Sequence, residues 1–289
     1  MATTELNLDQ LKSHIGRRVV ATDVITETPA NLLRLTFGRS DPEFRPGDPL
    51  PPGWQILYFL PRLGPDALGP DGAPHDTGVV PKMPLPRRMF AGERMRFHRP
   101  LRIGDAVRRE TELVDISLKQ GSTGTLVFAT VLSRIFGSEG LAIEEERRSV
   151  FREEAKGGRN EAPRREEPPA DTPWRRRVVP DAVSLFRFSA LTFNSHRIHY
   201  DHPWATEVEG YPALVVHGPF TSTLLTNFAR DENPGRPLAA CTTQARAPLF
   251  VDAPFELRGR PTADGRGAEV WAVTPAGTIA MHTQVEFQK

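Results

Sequence analysis

Four of the eight histidines of this 289-residue chain fall between His196 and His217. Imidazole is the side chain best suited to taking up and returning a proton near neutral pH, so the cluster points to acid–base chemistry. The segment reads FSALTFNSHRIHYDHPWATEVEGYPALVVHGPF from Phe188 to Phe220 and closes on His217-Gly218-Pro219. Proline suits a first helical turn, and Phe220, Leu224 and Phe228 then recur at i, i+4 and i+8. A helix is therefore predicted to begin beside the histidines. Its first-turn N–H groups and macrodipole would stabilise negative charge. Gly218 has an N–H where Pro219 has none, and its missing side chain would let a substrate come close. His217 is expected to support this turn rather than to react.

Other chemistries fit less well. His196, His199 and His202 would drift around a helix, Pro203 breaks it, and no H-E-x-x-H pattern occurs, so no metal is expected. No G-x-S-x-G elbow surrounds a serine; Ser195 lies between Asn194 and His196 instead. The single cysteine, Cys241, excludes an internal disulfide and reads as strand packing. Neither a G-x-G-x-x-G nor a Walker pattern is present, which argues against a nucleotide cofactor.

The elements that would position these groups come in two similar sets. RPLRIGDAVRRETEL (Arg99 to Leu113) and APLFVDAPFELRG (Ala247 to Gly259) each read as a turn leading into an alternating strand. Leu126 to Phe151 and Glu269 to Phe287 each read as a hairpin. Ahead of the first set, Pro51-Pro52-Gly53 precedes WQILYFL, predicted to be a buried helix matching the one after His217. A helix followed by an antiparallel meander describes an α+β fold with a sheet wrapped around a helix, twice over. Between the sets, Arg152 to Arg177 carries eight basic and six acidic side chains and little to bury, which predicts a linker. The expected division is 1–151, a linker at 152–177, and 178–289 carrying the histidines.

The bulk numbers agree with an ordinary globular protein. Net charge is +1, from 37 basic and 36 acidic residues, so no field suits nucleic acid or an anionic membrane. The opening MATTELNLDQLKSHIG lacks a signal-peptide core and no apolar run spans a bilayer, so a cytoplasmic location is expected.

The motif itself resembles that of MaoC-like (R)-specific enoyl-CoA hydratases, an S-G-D-x-N-P-I-H pattern followed by a small residue. Thr192 stands at the serine, Phe193 at the glycine, Asn194 at the aspartate and His196 at the asparagine. Arg197 takes the proline, Ile198 the isoleucine, His199 the histidine and Ala205 the small residue. With PPGWQILYFLP and LPRRMFAGERMRFHRPLRIGD, the chain is similar to a subgroup of two-unit proteins. That subgroup comprises the type 2 hydroxyacyl-thioester dehydratases and the mesaconyl-C4-CoA and itaconyl-CoA hydratases. The resemblance implies a double hot-dog fold, a homo-oligomer (a dimer of double hot-dogs), and an acyl-CoA substrate with no cofactor beyond the coenzyme A it carries. It implies water addition to a short, branched dicarboxylyl-CoA. Dehydration of straight-chain 3-hydroxyacyl thioesters, thioester hydrolysis and mere thioester binding are the alternatives.

An aspartate and a histidine hold the water in the general family. Here Asn194 replaces the aspartate, and an amide exchanges hydrogen bonds but takes up no proton. The resemblance therefore puts proton transfer on His199, with Asn194 orienting the water and Gly218 holding the enolate oxygen. Asp201 and His196 are the groups nearest at hand to substitute as base. Arg87 and Arg88, in LPRRMF, could bind a distal substrate carboxylate bidentately.

Overall fold

In the computed structural model, residues 7–121, 124–153 and 166–289 are described. The first half runs α1 (Leu8–Lys12), β1 (Arg18–Val24), α2 (Glu27–Thr36), a 3-10 turn (Trp54–Leu57), β2 (Arg87–Phe97), β3 (Ala106–Gly121), β4 (Gly124–Gly137) and β5 (Gly140–Arg152). The second runs β6 (Trp174–Val178), α3 (Ala182–Leu191), α4 (Gly218–Asp231), β7 (Leu238–Ala245), β8 (Phe255–Pro261), β9 (Gly267–Val273) and β10 (Ile279–Phe287). All ten strands form one antiparallel sheet in the order β1-β3-β4-β5-β2-β7-β10-β9-β8-β6. The order reads the same from either edge once the two sets are matched, with the β2–β7 seam at its centre. The two predicted hairpins are β4–β5 and β9–β10, and the two predicted turn-and-strand segments lead into β3 and β8.

α4 is the predicted helix after His217, and nine of its residues are buried, five of them Thr, Ser or Asn. Two of the threonine hydroxyls are satisfied along the helix itself: Thr226 donates to the Ser222 carbonyl and Thr221 to that of His217. A helix buried on all sides needs walls on all sides. Strands β7 to β10 supply one, while Phe37 and Trp54 of the first half supply another, Phe37 lying 5.0 Å from Phe220. Trp54 Nε1 also donates to Asn227 Oδ1 across the two halves (3.1 Å).

Two expectations need correction. WQILYFL is not a helix matching α4; it makes a single 3-10 turn and then straightens at Tyr58. Gly53 enters at φ 89 and Phe59 stands at φ 56, while Pro61 disfavours the helical region for the residue before it. Too few residues remain to offset the cost of nucleating a helix. The linker is also shorter than the charge pattern implied. Trp174 to Arg177, read as its tail, pair with β8 as part of β6. Gly259 leaves room for the Trp174 ring, which a Cβ there would meet at 2.8 Å. Thr172 is buried, and Glu166 accepts from the Ile279 N–H. Arg152, its expected first residue, closes β5, and residues 154–165 of the expected linker lie outside the described residues. No helix among the described residues is long and apolar enough to cross a membrane.

Candidate active site

α3 delivers the histidine segment. Asp181 and Ser184 close a capping box at its start, and Thr192 ends it by donating to the Phe188 carbonyl. Phe193 follows at φ 48, and Asn194 N–H closes back onto the Ser189 carbonyl (2.8 Å). This left-handed position is the one the motif assigns to glycine. The turn survives with phenylalanine in it, at a cost of about 1 kcal/mol. Asn194 Oδ1 then accepts from the His196 N–H (3.1 Å), and a 3-10 turn, Arg197–His199, presents His199.

His199 is buried at 7% exposure, and its Nδ1 lies 2.7 Å from the Val215 carbonyl oxygen. A carbonyl only accepts, so Nδ1 carries the proton and Nε2 keeps a lone pair. The ring stacks on His217 at 3.6 Å and meets His196 edge-on at 5.5 Å. Burial above all, then His196, pushes its pKa down to about 3, against a small opposing effect of the Val215 bond. His217 is fully buried, with Nε2 at 2.8 Å from Ser189 Oγ, and burial holds it neutral too. His196 is likewise pushed down to about 4, by burial and then by Arg88 and Arg87. The cluster is thus three neutral imidazoles, one with its basic nitrogen directed by a fixed tautomer.

Gly218 opens α4 directly after His217, so its first-turn N–H groups lie beside the stacked rings. A Cβ on Gly218 would meet Phe90 of β2 at 2.7–2.9 Å. The glycine therefore makes room for a side chain of the other half. Gly218→Ala should lower the melting temperature by several degrees, since overpacking costs about 1–3 kcal/mol. Adding Phe90→Ala should restore part of the loss in a non-additive cycle. A Gly218→Ala protein that melts like the wild type would contradict this packing.

The other expected residues fall into place less simply. Asp201 is no spare base. Its Oδ2 takes 2.7 and 2.9 Å hydrogen bonds from Arg197, and its Oδ1 accepts from the Trp204 N–H. The Arg197 bonds keep its carboxyl below the usual range. Arg87 is committed as well, in a buried ion pair with Glu209 (3.0 Å) and over the Tyr211 ring. Arg88 has weaker contacts, a 3.5 Å bond to Ser149 Oγ and the Phe151 ring at 5.8 Å.

A strap from the first half, which the sequence reading missed, covers the histidine segment. Ser195 Oγ donates to the Gly72 carbonyl (2.6 Å) and Arg197 N–H to that of Asp71 (2.8 Å). Asp71 Oδ2 lies 3.6 Å from His196 Nε2. Gly72 stands at φ 79, where a Cβ would lie 2.0 Å from the Ser195 carbonyl oxygen, so only glycine fits. The available signal was compositional: seven prolines and four glycines between Pro61 and Pro86. Cavities lie on both sides. One of about 400 Å³ is largely apolar, lined by Leu63, Leu68, Phe186, Phe193, Asn194 and Ser189 among others. The other, about 970 Å³, is lined by Asp71, Lys82, Arg87, Arg88, Phe151 and Trp204 among others.

The sequence matches the family of hydroxyacyl-thioester dehydratase type 2 over residues 53–251. The chain belongs to that family. It is a hydro-lyase with a double hot-dog fold. It is 49% identical over 240 residues to mesaconyl-C(4)-CoA hydratase of Chloroflexus aurantiacus, covering 83% of this chain and 84% of that protein. A solved MaoC-like dehydratase shares the fold at a TM-score of 0.71 and 15% identity, over 96% of this chain and 100% of that one. A conserved hypothetical protein of Mycobacterium tuberculosis, described as having a double hot-dog fold, superposes at 0.61 and 14% identity, over 97% of each. In this dehydratase-family member the cluster of His196, His199 and His217 lies in the second half. The matching place after α2 instead holds Gly38 at φ 62 and Arg39, which is paired with Asp231.

Proposed function

We propose that the protein adds water across the double bond of a short, branched dicarboxylyl-CoA, of the mesaconyl-C4-CoA or itaconyl-CoA kind. The observation that carries this reading is the His199 ring, its Nδ1 tied to the Val215 carbonyl and its neighbour His217 opening the turn to Gly218. The Nε2 lone pair takes a proton from water as the water oxygen bonds to the β-carbon. The double-bond electrons move to the thioester oxygen, which the Gly218 end of α4 stabilises as an enolate. The same proton then passes from Nε2 to the α-carbon. A base pushed down to about 3 is weak at rest, but the enolate charge growing beside it stabilises the imidazolium and strengthens it during the step. Asn194 lines the apolar cavity with its Oδ1 already engaged, which leaves its amide N–H groups to hold the water oxygen.

The first half acts as scaffold, contributing Phe90, the strap and the second wall of α4. The 49% relative, named for its substrate, supports the choice of acyl group. The exposed Val183 and Phe186 of α3 and Leu32 and Leu35 of α2 support a homo-oligomer that covers them.

Incubation with mesaconyl-C4-CoA and crotonyl-CoA, read by mass spectrometry, tests the reaction. A gain of one water with the thioester intact is expected; release of free CoA would mark a thioesterase, and no change a binding subunit. Asn194 can be tested in the same assay. Asn194→Ala should cost less than loss of His199, because it removes an orienting bond but no base. Asn194→Asp should move the acid limb of the kcat/KM profile upward, since a carboxylate favours the charged imidazole.

A further inference from the structure

Arg197 lies within the segment that carries His196 and His199, Arg87 and Arg88 lie near His196, and Arg147 lies near Arg88. Arg87 is bound to the side chain and carbonyl of Glu209, and Arg197 to Asp201. Arg147 is bound to Glu93 at 3.0 Å and Glu145 at 2.9 Å. Arg88 alone of the four has no carboxylate of the described residues within ion-pair distance. Its contacts are Ser149 Oγ at 3.5 Å and the face of Phe151. Burial, with Arg147 adding to it, pushes its guanidinium below the ordinary value, against a smaller pull from Asp71. Asp71 itself is engaged with the Ala73 N–H and His196. Arg88 is only partly exposed, and partly burying a guanidinium without a counter-charge is costly; it recurs where a ligand brings that charge.

The position of Arg88 decides which ligand. It lines the larger cavity beside Asp71 and acts on His196, whose ring lies 5.5 Å from that of His199.

We propose that Arg88 is the recognition site for the free carboxylate of an α,β-unsaturated dicarboxylyl thioester. This rests on the reading above and narrows it. The planar guanidinium takes the carboxylate bidentately, with the carbon that receives the water next to His199. A thioester with a neutral acyl chain leaves Arg88 uncompensated, so the site selects by penalty as well as by attraction.

The test uses the full chain with Arg88→Gln and Arg88→Lys, and measures kcat/KM for mesaconyl-C4-CoA and crotonyl-CoA. Arg88→Gln should lower the value for mesaconyl-C4-CoA by about 100-fold, the scale of a buried charge pair losing one partner, while crotonyl-CoA keeps its value or gains as the penalty is removed. Arg88→Lys should fall between, since it keeps the charge and loses the fork. Equal losses for both thioesters, or none for mesaconyl-C4-CoA, overturn the proposal. If Arg88→Gln fails to fold, the lysine variant decides by the same comparison. Should the wild-type protein hydrate neither thioester, the reaction assigned above fails while Arg88 is still judged by calorimetric binding. There, a loss of affinity for mesaconyl-C4-CoA alone supports the site, and equal affinity in wild type and variant overturns it.

Discussion

His199→Ala is expected to lower kcat by at least about 10²-fold while the protein stays folded, because it removes the basic nitrogen whose tautomer the Val215 carbonyl fixes. The pH profile carries a second, sharper expectation. Burial favours the neutral ring, and the neutral ring is the base, so activity is retained as pH falls through the ordinary histidine range. The acid limb of kcat/KM should therefore appear near pH 3, or where the protein itself unfolds, and not near 6.5. A limb near 6.5 that vanishes in His199→Ala would mean the imidazole is far more solvated than its 7% exposure implies. Near-normal turnover in His199→Ala, with loss in His196→Ala, would move the base to the neighbouring ring.

Residues 174–289 expressed alone should give insoluble or inactive protein. The fragment keeps His199, Asn194 and Gly218, but loses every group that closes the site from outside. β7 would lose its partner from Gly92↔Gln244 to Arg96↔Ala240 and become a free edge, which invites aggregation. α4 would lose Phe37, Trp54 and Phe90, and the Ser222 hydroxyl would lose Glu93, to which it donates at 2.8 Å. Removing the Gly72 and Asp71 carbonyls would also release Ser195 and Arg197, which hold the histidine segment. Gel filtration and the hydratase assay check this. A soluble fragment with full turnover would refute the scaffold role of the first half.

How much of this was legible in the sequence depended on how local the signal was. α4 announced itself through Pro219 and the Phe220–Phe228 spacing, and the strands of both halves through alternation, because those signals lie within one element. The 3-10 turn at Trp54 did not, since an apolar run of seven residues suits a buried helix or a buried turn equally until Gly53 and Pro61 are weighed with it. Trp174–Val178 was hidden for a related reason. Three arginines in a row read as solvated linker, yet an edge strand can point charge outward while Trp174 packs over Gly259. Arg87, Arg88 and Asp201 were visible as charges, but their partners Glu209, Ser149 and Arg197 come mainly from elsewhere in the fold. The strap lay beyond reach, because Gly72 meets Ser195 across 123 positions of chain. His199 could be picked from the motif; its tautomer could not, since that depends on one carbonyl of Val215.

The symmetric strand order has a genetic consequence. Were two separate identical chains to meet at a seam like β2–β7, every substitution would appear on both sides of the assembly at once, helpful in one place and harmful in the other. Joined in one chain, the halves mutate independently. The segment before β2 could shorten from a helix to a turn while α4 kept its full length, and Phe90 could lean on Gly218 without a matching intrusion opposite. Asymmetry of that kind is open only to a fold that encodes its two halves separately.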